Sequence, residues 1–122
     1  MGLAPDGGLF MPDRIPKLPQ SFLTDLQKYN FNEIAERVVS KFVDDIPRAK
    51  LHEIIGKAFD FPVPLVKLAP NLYVLELFHG PTMAFKDFGA RFMARIFNYY
   101  LAKRKAKVKI VTATSGDTGS AV

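Results

Sequence analysis

At 122 residues the chain has the length of one small domain, with 48% hydrophobic and 24% charged residues, the balance of a soluble globular protein. No apolar run reaches the length of a membrane span, no signal-peptide pattern follows Met1, and the absence of cysteine excludes a disulfide framework or a thiolate metal site. The net charge of +5 raises the question of nucleic acid, but the densest basic cluster, Lys103, Arg104, Lys105, Lys107 and Lys109, has no interleaved aromatics to stack on bases. That cluster falls where a long helix is expected to end, and cations suit a helix C-terminus. The composition therefore predicts a cytoplasmic protein with neither a nucleic-acid nor a membrane partner.

Residues 1–20 are rich in turn formers, with Pro5, Gly7, Gly8, Pro12, Pro16 and Pro19. Ser21 is expected to cap a helix reaching about Tyr29. A second helix is predicted from Asn32, its expected N-cap, to Val43, with Ile34, Val38 and Phe42 recurring every four residues. A third starts near Pro47, which suits a first helical turn, and carries Leu51, Ile54, Ile55 and Ala58. Together these helices read as an N-terminal cap, residues 1–60. Their Phe and Ile residues read as core, and His52 falls on a polar face.

From residue 61 the pattern changes. Leu65–Leu68 and Leu72–Phe78 alternate or run apolar, as strands do, and Ala69-Pro70-Asn71 between them can turn. The pair reads as a hairpin at a sheet edge. A helical period follows from about Met83 to Arg104, with Phe85, Phe88, Phe92, Ile96 and Tyr100 on one stripe and Met93, Phe97 and Leu101 beside it. Thr82 is the expected N-cap, and the stripe is expected to be core. Val108–Ala113 reads as a buried parallel strand. Strand, helix and strand would make a right-handed crossover unit, residues 61–122, opening an α/β domain. Ligands in open α/β sheets bind beyond the C-terminal strand ends, where two polar segments fall.

The first of these, Phe78-His79-Gly80-Pro81-Thr82-Met83-Ala84-Phe85-Lys86-Asp87-Phe88-Gly89, carries a lysine into the first turn of the long helix. The positive end of the dipole favours an acid there rather than a cation. Such a position favours the neutral amine that a Schiff-base nucleophile needs, although a lysine at a helix rim can equally reach into water. His79 can serve as an acid–base group or a phosphate contact, or as a loop residue bonded to backbone; no partner for it is evident. Asp87 can cap helix N–H groups, Gly89 can admit a close neighbour, and Arg91, five residues past Lys86, need not face a site there. The second segment, Thr114-Ser115-Gly116-Asp117-Thr118-Gly119, supplies hydroxyls and backbone N–H groups suited to an anion, and suits an ordinary turn and N-cap as well. No Asp/Glu/His cluster has metal-ligand spacing.

Taken together, FHGPTMAFKDFG, TSGDTG and the opening GLAPDGGLFMP at residues 2–12 resemble the threonine synthase family, in that order along the chain. The resemblance implies a tryptophan-synthase-β-like (fold-type II) pyridoxal-phosphate fold, here incomplete. It implies a lyase of threonine biosynthesis that converts O-phospho-L-homoserine and water to L-threonine and phosphate. By position, Lys86 matches the lysine that binds the cofactor as an imine. Asp117 matches a residue near the cofactor ring, and Ser115, Gly116, Thr118 and Gly119 match the loop for the substrate carboxylate. Asp at residue 117, where many relatives of the fold have Asn, is similar to one branch of the threonine synthases. The family's glycine-rich loop for the cofactor phosphate and its partner for the pyridine nitrogen are not found in these residues. Both ends read as cut, so the natural chain is expected to be longer and this piece inactive and prone to self-association. The alternatives are a phospho-lyase of the same fold and a non-catalytic homologue acting as an interaction module.

Overall fold

The computed structural model describes residues 4–122, which divide into two compact units, one ending at Ile46 and one running from Pro47 to Val122. The opening motif at residues 2–12 thus lies partly outside the described residues.

In the first unit, α1 spans Gln20–Thr24 and a 3-10 turn follows over Leu26–Lys28. Pro19 precedes α1 as its N-cap, so Ser21 is a helical residue and caps nothing. Phe22 is buried, its ring 5.5 Å from that of Tyr29. The Arg37 guanidinium covers Tyr29 at 4.2 Å and Phe22 at 5.7 Å, a cation–π contact that ties α2 to the turn before it. Helix α2 spans Phe31–Val39, and its N-cap is Asn30, not Asn32. Both asparagines can cap, but only Asn30 has a carboxylate three residues on. Asn30 Oδ1 accepts from Glu33 N–H at 3.0 Å, and Glu33 accepts from Asn30 N–H at 2.7 Å. Residue 35 is alanine and offers Asn32 no return bond. The helix also ends before Val43, because Lys41 and Phe42 bond back to Val38 and Val39 and tighten the last turn.

The second unit is built on α3, Arg48–Ala58, and α4, Lys86–Arg104. Pro47 takes the N-cap of α3, whose stripe Leu51, Ile54, Ile55 and Ala58 is buried, as is Ala90 of α4. Arg91 fastens the two helices. It donates to the carbonyls of Ala58 at 2.8 Å and Lys57 at 3.2 Å, which α3 leaves unpaired at its end, and pairs with Asp60. Its role is thus structural. Phe59 and Phe61 close on Phe88 and Phe92, with centroids 5.1–6.0 Å apart. Each such pair adds about 0.5–1.5 kcal/mol beyond area burial. The stripe expected to be core divides here: Phe88, Phe92, Ile96 and Tyr100 are half-buried, whereas Phe85, Met93 and Phe97 are exposed. The described neighbours of α4 cover only part of its circumference.

The hairpin forms, with its second strand ending at Leu75 rather than at Phe78. Strands β1, Leu65–Ala69, and β2, Leu72–Leu75, pair antiparallel with Leu65 opposite Leu75 and Val66 opposite Val74. Asn71 turns the chain at φ +60°, a left-handed conformation that Asn tolerates. Most of its apolar side chains remain exposed on both faces.

Val108–Ala113 corrects an expectation. It pairs with no other segment among the described residues and is exposed throughout, with Val111 at 92%. A β-propensity run becomes a strand only beside a ladder partner, and none stands next to it. A last short helix, α5, spans Asp117–Ala121 and packs on α4.

Candidate functional site

The loop before α4 is organised from below by Asp87. Its carboxylate is 1% exposed and accepts two bonds from Thr82, one from the backbone N–H and one from the hydroxyl, each 2.9 Å long. Thr82 is therefore not the helix cap; Phe85 takes that position without a side-chain bond, and Thr82 folds the loop back onto the first turn. Burying a carboxylate is tolerated where N–H and O–H donors satisfy it. The arrangement needs a small residue at position 80, since a Cβ there would stand 2.8 Å from the Asp87 Cβ. Gly80 is buried, whereas Gly89 has open space around it, so the close approach expected at residue 89 occurs at residue 80. Met83 completes the turn at φ +55°, its N–H bonded to the Gly80 carbonyl at 3.0 Å.

This loop delivers Lys86 to the first position of α4. The ammonium lies 4.3 Å from the centre of the exposed Phe85 ring, and no carboxylate pairs with it among the described residues. Asp117 likewise holds the first position of α5. The two helices pack together, and each candidate residue opens one of them, but no bond joins Lys86 to Asp117. The expected shared sheet edge is replaced by this helix pair.

Within the second segment, local bonds already use some donors. Gly116 N–H donates to Thr114 Oγ1 at 3.3 Å, and Gly119 N–H to the Gly116 carbonyl at 3.0 Å. Gly119 also makes room for the Thr114 methyl, which a Cβ would strike. The hydroxyls of Ser115 and Thr118, with the backbone N–H groups of Ser115, Asp117 and Thr118, are not used by these bonds.

His79 has a partner that the sequence did not reveal. Its Nε2 lies 2.6 Å from Glu76 Oε2, and both side chains are partly exposed. The available signal was Glu76 itself, a lone acid in the apolar run Leu72–Phe78. Among the described residues, no group of His, Asp and Glu is arranged to hold a metal ion. No helix among them is long and apolar enough to cross a membrane.

A family model described as the threonine synthase N terminus matches residues 1–59. Lys86 and Asp117 lie beyond it, but longer relatives cover them. The threonine synthase of Haemophilus influenzae is 45% identical over 122 residues, and that of Escherichia coli 42%; each match takes in 99% of this chain and 28% of the relative. The PLP-bound threonine synthase of Brucella melitensis superposes with a TM-score of 0.91 at 41% identity, over 98% of this chain and 27% of that one. The chain corresponds, in sequence and in fold, to the N-terminal part of the threonine synthases. It spans a little over a quarter of the length of those relatives. Its mixture of helices and a two-stranded sheet is accordingly an incomplete α/β fold.

Proposed function

We propose that these residues supply the lysine and the carboxylate loop of a cytoplasmic, pyridoxal-phosphate-dependent threonine synthase acting on O-phospho-L-homoserine and water. The observation that carries this reading is the pairing of α4 with α5, each opened by a residue that matches the family's motifs, Lys86 and Asp117. The residues fit the cofactor's chemistry. Lys86 presents a primary amine, unpaired with any carboxylate among the described residues, at the end of a loop held by a buried carboxylate. That amine would hold pyridoxal phosphate, and it would carry protons at the substrate's α and β carbons. Bound pyridoxal phosphate supplies the electron sink for charge at those carbons. Ser115 and Thr118 would donate hydroxyl hydrogens to the substrate's α-carboxylate, and the Asp117 carboxyl would tune the cofactor ring. Asp87 and Gly80 act at one remove by keeping Lys86 in register. Residues 61–122 begin the cofactor-binding domain.

The test is chemical. In an enzyme that carries these residues at its N-terminus, added pyridoxal phosphate gives a visible absorption band, and borohydride fixes the cofactor on Lys86. Lys86→Ala abolishes threonine formation with little loss of stability, as expected for an unburied side chain. A reduced adduct on another lysine overturns the assignment. Phosphate release without threonine marks a phospho-lyase instead.

A further inference from the structure

Arg91 clasps α4 to the end of α3, and beyond that clasp the two helices leave a groove of about 470 Å³ between them. Each wall is one helical stripe. On α3, Lys50, Glu53, Ile54 and Lys57 recur at the three- and four-residue intervals that share a face, and on α4 Arg95, Tyr99 and Lys103 do the same. The charges in it are unevenly paired. Glu53, the one carboxylate of the lining, is taken by Lys50 at 2.7 Å and Lys57 at 2.6 Å. Across from them, Arg95 has no hydrogen-bond or carboxylate partner among the described residues, and the Lys103 ammonium meets only the Tyr99 ring, at 4.9 Å. Ile54 and Ala102 add apolar surface to the lining. The exposed apolar side chains of α4, Met93 and Phe97, each stand two residues from Arg95 and so about 200° round the helix from it. That apolar face is the one that calls for cover by further chain; the groove opens on the opposite side, where lysine and arginine stay in water.

We propose that this groove is a second ligand site, for a phosphate monoester with a small apolar body. The Arg95 guanidinium presents paired N–H donors that match phosphate oxygens, and Lys103 adds a second positive charge, so the two together answer a dianion. The apolar lining answers the body of the ester. The volume falls within the range of small-molecule sites, about 300–1,000 Å³. The groove is separate from the Lys86 site: Arg95 lies nine residues along α4 from Lys86, about 14 Å by helix rise, and no residue of α5 or of the loop before α4 lines it. The inference rests on the groove alone and not on the assignment of Lys86.

The test titrates phenyl phosphate into the 122-residue chain and follows backbone amide shifts by NMR. Saturable shifts are expected at Ile54, Tyr99 and Lys103. Inorganic phosphate lacks the apolar body and should bind about five-fold more weakly or worse, and phenol, which lacks the charge, should give no saturable shift. Arg95→Gln and Lys103→Gln both change exposed side chains, so the fold stays intact, and each should weaken phenyl phosphate about five-fold or more. Glu53→Gln should tighten it, because the one opposing charge is gone. Lys107→Gln, outside the groove, should leave it unchanged. Equal affinity for inorganic phosphate, or equal losses from Arg95→Gln and Lys107→Gln, would reduce the effect to an adventitious anion on a basic surface and overturn the proposal. In an enzyme carrying these residues at its N-terminus, phenyl phosphate should protect Lys103 but not Lys107 from acetylation. A Lys103 that is unreactive without ligand would show that further chain fills the groove, which also overturns the proposal.

Discussion

Gly80 and Asp87 are packed so tightly that a methyl group on residue 80 would overlap the Asp87 side chain, its Cβ only 2.8 Å from the Cβ of the aspartate. Through this contact a buried carboxylate holds the loop that ends at Lys86. Gly80→Ala should therefore cost about 1–3 kcal/mol by overpacking. Asp87→Ala should cost about 1–3 kcal/mol by leaving the Thr82 donors unpaired. Chemical denaturation of the chain measures both. The double variant should cost less than the sum of the single ones, because removing the carboxylate makes room for the methyl.

The second segment separates ligand contacts from turn formation. Ser115→Ala and Thr118→Ala should raise KM for O-phosphohomoserine while leaving cofactor affinity unchanged. Asp117→Ala should instead alter the cofactor's absorption. Small and equal effects from all three would reduce the segment to a turn and a helix start.

Glu53 on α3 gives a pH test independent of function. Hydrogen bonds from Lys50 at 2.7 Å and Lys57 at 2.6 Å, with their charges, lower its pKa from 4.5 to about 2. A depressed carboxylate stabilises the fold above its unfolded pKa, and that contribution is lost as pH falls through the folded value. NMR titration of the Glu53 carboxyl should thus place its midpoint well below the ordinary range. Added salt should raise it, since the triad is exposed and screened. Glu53→Gln should lower stability at pH 7 slightly, because the pairs it removes are exposed and screened.

The 122-residue chain by itself should bind pyridoxal phosphate weakly and self-associate. Leu65, Leu68, Leu72, Val74 and Leu75 on the hairpin, and Val108, Ile110 and Val111 beyond α4, are all exposed. Apolar edges of this kind invite strand pairing between copies. Sedimentation should give a mass that rises with concentration, and threonine production by this chain with a Lys86→Ala control would contradict the expected inactivity.

What the sequence determined by itself was whatever depends on short-range order. Period and punctuation placed α3, α4 and the hairpin, because a helical stripe, a proline at a helix start and a turn-forming Pro-Asn act over a few residues. The lysine at the head of α4 was legible for the same reason. Tertiary structure decided what depends on approach through space. Thr82 had the chemistry of a cap, yet Asp87 took both its hydrogen bonds for the loop. Glycine 80 rather than 89 was the close-packed one, and Arg91 turned to the open carbonyls of α3. Val108–Ala113 carried the composition of a strand and formed none, because a strand exists only by its partner's hydrogen bonds, which no local pattern encodes.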